Sequence, residues 1–147
     1  MSARRRVAIT GVGLVTPVGN DVATTWSALL AGRSGAGRIA SFDASGFPVR
    51  IAAEVKGLPD AAVLQALGDR KLIKFANRSH RFALVAAAQA FADAGIRPTA
   101  ATAERWGCVV GTGMMGVTYD ELAQVQADAA PGGELEPGRL LTAQGSA

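Results

Sequence analysis

Along the chain, short apolar runs of β-forming residues alternate with stretches in which apolar residues return at helical spacing, and glycine marks most boundaries between them. Val7, Ile9, Val12, Leu14 and Val15 make the first run, which predicts a buried strand, and Gly11, Gly13, Pro17 and Gly19 relax it into a turn. Asn20 or Asp21 can cap the helix that follows, on which Val22, Trp26, Leu29 and Leu30 share one face; Gly32 stands where a left-handed C-terminal cap belongs. Ser34 to Val49 holds Gly35, Gly37, Gly46 and Pro48 among small polar residues and predicts a surface loop. Ile51 to Val55 is a short strand, and Leu58-Pro59-Asp60 opens a brief helix that ends near Gly68.

Arg70 to Ala94 is the longest periodic segment. Leu72, Ala76, Ala83, Ala87, Ala90 and Ala94 fall on one face at about 3.6-residue spacing, and Gly95 with Pro98 ends the pattern. One helix is expected here, with an alanine face that admits a close neighbour. Gly107 to Val110 reads as a strand, Gly111 to Gly116 as a glycine turn, and roughly Val117 to Ala127 as a further helix. From Ala129 onward "AAPGGELEPGR" is rich in proline and glycine, so residues 129–147 are expected to form a loop or tail. Strands alternating with helices imply βα units, a mostly parallel sheet and the α/β class.

Length and composition narrow this picture. The 147 residues amount to one domain, 49% of them hydrophobic and 18% charged, a balance typical of an ordinary globular interior. One cysteine excludes an internal disulfide framework and any cysteine-rich metal site, which makes a reducing, cytoplasmic setting the expectation. The Arg4–Arg6 triplet is not read as an export signal, because Thr10, Gly11, Gly13, Thr16 and Pro17 interrupt the apolar stretch behind it. No segment approaches the ~18 apolar residues of a membrane span, and a net charge of +3 is too small to imply nucleic acid.

Three groupings could carry chemistry. Gly111-Thr112-Gly113-Met114-Met115-Gly116 fits G-x-G-x-x-G between a strand and a helix. A dinucleotide unit also needs a second strand ending in an acidic residue about 20 residues further on, whereas Glu134 and Glu136 lie in the proline- and glycine-rich stretch. The glycines are therefore read as allowing close packing. Cys108, mid-strand and without a neighbouring histidine, reads as a buried structural thiol, and the lone His80 as a surface or interface residue. Arg70, Lys71, Lys74, Arg78 and Arg81 are five of the 15 basic residues, and on a single helix Arg70, Lys74, Arg78 and Arg81 form one stripe opposite the alanine face. A stripe of this kind serves either as a solvated face or as a docking surface. No nucleophile elbow and no metal-ligand spacing occurs.

As written, "RRVAITGVGLVTPVGND" with a following "TW" and "LLAGRSG" closely resembles the start of β-ketoacyl-[acyl-carrier-protein] synthases of the chain-elongating type, a likeness that runs from about Arg5 to Tyr119 and fades after Pro131. The resemblance implies a thiolase-like layered fold, of which residues 1–147 supply an incomplete first half. The implied reaction is decarboxylative Claisen condensation of acyl and malonyl thioesters in fatty-acid or polyketide synthesis. That family places its nucleophilic cysteine at a later Thr-Ala-Cys elbow and its two catalytic histidines later still, so no catalytic residue is assigned and the chain is expected to be inactive alone. Met114 falls where the family has a residue lining the acyl pocket. Arg70, Lys71 and Lys74 fall where it receives acyl carrier protein, and Phe75 stands where a further basic residue can occur. No cofactor or metal is implied, since the substrate arrives on the carrier's phosphopantetheine arm, and the complete family enzyme is a homodimer. Two other readings stay open, a non-catalytic module that binds carrier protein or partners a ketosynthase, and a nucleotide-binding oxidoreductase fragment resting on the glycine turn alone.

Overall fold

A computed structural model describes residues 6–113, 122–124 and 127 of the chain. The elements in order are helix α1 (Val22–Leu30), strands β1 (Ala36–Arg38) and β2 (Ile51–Ala53), helix α2 (Asp60–Leu67), a 3₁₀ turn over Arg70–Phe75, helix α3 (Arg78–Ala94) and a short 3₁₀ turn over Ala103–Arg105. Residues 122–124 and 127 are helical, inside the helix expected there.

Local chemistry sets the helix ends. The Asp21 carboxylate accepts the Thr24 amide at 2.7 Å and caps α1. At the other end the Gly32 amide donates to Leu29 O and the Arg33 amide to Ala28 O, with Gly32 at φ +63, which is a Schellman closure. Gly68 and Gly95 end α2 and α3 in the same left-handed conformation.

The expected strand over Val7–Val15 does not pair with any described strand. Its second half lies extended across α3 instead. The Val12 amide donates to Asp93 Oδ2 at 2.9 Å and the Leu14 amide to Gln89 Oε1 at 3.0 Å. Two residues of strand advance about 6.6 Å and four residues of helix about 6 Å, so acceptors at i and i+4 on α3 match alternate amides of the segment. Close approach is possible because a Cβ on Gly13 would sit 1.9 Å from Ala86 O, and one on Gly11 2.2 Å from Ala90 O. Of the expected alanine face, Ala90 and Ala94 meet this neighbour, joined by Ala86, which is not part of that face, while Ala83 and Ala87 line a cavity elsewhere on α3. Beyond the crossing, Thr16 and Gly19 close a tight turn that the Thr25 hydroxyl clamps by donating to Gly19 O at 3.2 Å, while Gln89 Nε2 donates to Asn20 O at 2.7 Å.

Three further expectations are corrected. The loop over Ser34–Val49 contains β1, which pairs antiparallel with β2 in the register Ala36 with Ala53 and Arg38 with Ile51. This ribbon is the one sheet among the described residues, and no parallel pairing occurs in them. Gly107–Val110 is extended without a partner strand, which leaves Val109 99% exposed. The helix expected from Arg70 to Ala94 is broken. Ala76 is extended, and Asn77 starts α3 afresh by accepting the His80 amide at 2.9 Å. Asparagine favours this because its short side chain competes for local backbone donors.

Among the described residues burial is limited to small side chains: Ala28 and Thr25 of α1, Ala44 between β1 and β2, Val63 of α2, Ala76, and Val85 of α3. The face of α1 that carries Trp26, Leu29 and Leu30 is bare, with Trp26 61% and Leu30 71% exposed. Val7 and Ile9 are exposed as well.

Candidate functional site

The broken helix redistributes the basic residues. Arg78 and Arg81 are spent on architecture. Arg78 donates to Val55 O, and Arg81 donates through Nε to Ala76 O at 2.9 Å and through a second nitrogen to Ile73 O at 3.4 Å, while its remaining nitrogen pairs with Asp60 at 3.4 Å. The Arg81 guanidinium therefore ties α2, the 3₁₀ turn and α3 together, its fork donating to Ala76 O and adding a second donor to Ile73 O, which also accepts the Ala76 amide. The stripe of Arg70, Lys74, Arg78 and Arg81 does not form.

What stands out toward solvent is the 3₁₀ turn. The Asp69 carboxylate caps it by accepting the Lys71 amide at 2.8 Å, and Leu72 N–H to Asp69 O and Ala76 N–H to Ile73 O follow as its i to i+3 bonds. Arg70, Lys71 and Lys74 are exposed along it. Phe75 is exposed beside them, with Lys74 Nζ 4.9 Å from the ring centroid.

A second feature lies against the opposite part of α3. A cavity of about 780 Å³ is bounded by His80, Phe82, Ala83 and Ala87 on one wall and by Cys108 and Gly111–Gly113 on the other. Cys108 is exposed in it, not buried as expected, because the segment around it has no strand neighbour. The close packing expected of the glycine turn is also absent where described, since Cβ positions on Gly111 and Gly113 face open space. Met114, expected at the acyl pocket, lies outside the described residues.

Two carboxylates organise the surroundings. Glu54 accepts the Ala40 amide at 2.9 Å and the Ser41 amide at 3.1 Å, and hydrogen bonds from Ser41 first, then Ala40, with the Arg78 charge behind them, hold its carboxyl below the usual range. Asp21 is lowered in the same way by the Thr24 amide and then the Thr24 hydroxyl. Among the described residues no group of three or more His, Cys, Asp or Glu could hold a metal ion, and no helix is long and apolar enough to cross a membrane. Gln89 and Asp93, which fasten the N-terminal segment, escaped the sequence reading; their signal is a polar pair spaced i, i+4 within an alanine face.

Residues 4–143 match the family model described as Beta-ketoacyl synthase, N-terminal domain, and the chain belongs to that family. It is 44% identical over 118 residues to 3-oxoacyl-[acyl-carrier-protein] synthase 2 of Coxiella burnetii, covering 80% of this chain and 28% of that protein. It is 36% identical over 119 residues to the protein of the same name from Vibrio cholerae, covering 81% and 28%. The solved structure titled "The ishigamide ketosynthase/chain length factor" superposes with a TM-score of 0.57 at 35% identity, covering 65% of this chain and 23% of that one. That likeness to a ketosynthase supports the thiolase-like fold. The chain spans 28% of the length of these two curated relatives. Family membership leaves the dinucleotide reading of the glycine turn without support.

Proposed function

We propose that this chain provides the N-terminal part of a condensing enzyme of the 3-oxoacyl-[acyl-carrier-protein] synthase type. The match of residues 4–143 to the family's N-terminal domain carries the reading. In the reaction, an acyl group held as a thioester on a cysteine meets malonyl thioester. Carbon dioxide leaves the malonyl group, its α-carbon bonds to the acyl carbonyl carbon, and the cysteine thiolate departs. The resemblance implies a cysteine and a histidine pair for these steps, and none of the 147 residues is assigned to those roles. Within them, Arg70, Lys71 and Lys74 receive the acidic carrier protein, and Met114 with the glycine turn borders the acyl chain; the open cavity beside Gly111–Gly113 supports that placement. A mostly parallel sheet, homodimerisation and a cytoplasmic setting belong to the same reading. The solved neighbour's title, which pairs a ketosynthase with a chain length factor, favours a second one, a non-catalytic ketosynthase partner.

The test incubates purified chain with acyl- and malonyl-carrier protein. Carrier-protein binding that weakens on Lys71→Glu with Lys74→Glu is expected, with no condensation by the chain alone. Release of carbon dioxide with 3-oxoacyl product, abolished by Cys108→Ala, would assign the chemistry to these residues and overturn that expectation. Equal carrier affinity in wild type and the double variant would remove the docking role.

A further inference from the structure

The 3₁₀ form of residues 70–75 changes what the basic segment can recognise. With three residues per turn, side chains at i and i+3 eclipse. Lys71 and Lys74 therefore stand in one row, and Leu72 and Phe75 in the row beside it. The third row holds Arg70 and Ile73, and Ile73 is the half-buried residue that faces the protein. An α-helix would have scattered these residues around its axis by about 100° each. As folded, a cationic ridge runs alongside an apolar ridge, with Leu72 47% and Phe75 65% exposed. Lys74 Nζ lies near the Phe75 face, so the two rows touch.

We propose that Phe75, with Leu72, is a specificity-determining apolar contact in the docking of the carrier protein, seating against an apolar side chain on an acidic helical surface while Lys71 and Lys74 meet its carboxylates. The proposal deepens the docking role given above and rests on it. Charge complementarity selects the occupant: three cations stand on this turn, while Asp69 is engaged in capping it and Asp60 is paired with Arg81. An exposed aromatic ring beside the cations adds an apolar contact, so part of the affinity becomes insensitive to salt. Ion pairs between exposed groups are screened within about 8 Å at physiological ionic strength, whereas apolar burial is not.

The experiment measures binding of fluorescently labelled acyl carrier protein by anisotropy across a salt series, with the 147-residue chain and its Phe75→Ala, Phe75→Tyr, Phe75→Lys and Lys71→Glu/Lys74→Glu variants. Phe75 is exposed, and circular dichroism matching wild type accompanies each measurement. Phe75→Ala should weaken binding about tenfold with the salt slope unchanged, Phe75→Tyr should retain wild-type affinity, and Phe75→Lys should steepen the slope. Wild-type affinity in Phe75→Ala, together with loss of binding on double charge reversal, would overturn the apolar contact and leave the docking role intact. Absence of binding by wild type at every salt concentration would overturn both.

Discussion

Gly11-Val12-Gly13 and Gly111-Thr112-Gly113 have the same G-x-G chemistry and opposite surroundings. Neither region needs a left-handed backbone, since the positive-φ glycines of the described chain are Gly32, Gly57, Gly68 and Gly95. The first pair is there for close approach. Its α-hydrogens press on Ala86 O and Ala90 O of α3, and Val12 and Leu14 spend their amides on Asp93 and Gln89. The second pair opens on a cavity of about 780 Å³ with nothing near its Cβ positions. The same contrast separates the buried Ala28 of α1 from the bare Trp26, Leu29 and Leu30 of the same helix. Where a contacting partner lies among the described residues the fit is tight, and where none does the surface is open. The chain spans 28% of the length of the curated relatives it matches.

Gly13→Ala breaks the tight side of the comparison and has the largest expected effect. The new methyl would meet backbone carbonyl and not a movable side chain, so the segment must lift from α3. A loss of about 3 kcal/mol is expected, at the upper end of overpacking costs, read as a lower urea midpoint followed by circular dichroism. An unchanged midpoint would mean that residues 11–15 do not rest on α3 in solution.

The sequence revealed those features whose cause is local. Asp21, Gly32, Gly68 and Gly95 act on backbone groups a few residues away; the three glycines close their helices as read, and of the two capping candidates Asn20 and Asp21 it is Asp21 that starts α1. The break at Ala76–Asn77 was hidden because leucine and alanine periodicity runs straight through it, while the decisive term is one cap at Asn77 and the Arg81 fork that donates to Ala76 O. β1 was hidden inside a glycine-rich stretch because its three residues owe their pairing to β2. Val7 and Val109 look like strand residues, yet both are exposed and neither pairs with a described strand, which no local pattern can report. At the candidate site, the solvent exposure of Arg70, Lys71 and Lys74 was legible; the two-row arrangement with Leu72 and Phe75 was not, since it depends on 3₁₀ winding.

Asp21 sharpens the tight side with an intermediate effect. Its carboxylate is the cap that starts α1 immediately after the Thr16–Gly19 turn, and its pKa lies below the ordinary 3.8 because the Thr24 amide donates to it. A lowered folded-state value means that the stabilisation is fully present above the unfolded value and is lost as pH falls through the native one. Thr24 amide protection should therefore fall in acid below about pH 3.8 in wild type. Asp21→Ala should lose it at every pH. Asp21→Asn keeps the acceptor without the titration, since asparagine caps as well as aspartate. Identical acid dependence in Asp21→Asn, followed by hydrogen exchange at Thr24, would show that another group controls the start of α1.

Gly111→Ala probes the open side and has the smallest effect, with the opposite sign to Gly13→Ala. Its backbone lies outside the left-handed region and its Cβ direction is empty, so alanine fits without strain. Replacing glycine at a compatible position narrows the unfolded ensemble, which stabilises by about 0.4–1 kcal/mol where the residue is ordered in the native state. The urea midpoint of the chain should stay level or rise slightly. A loss comparable to that of Gly13→Ala would mean that the cavity is filled in solution, by a second copy or by residues outside the described set, and dilution would separate these: a deficit that vanishes at low protein concentration identifies a second copy, and one that persists identifies the chain itself.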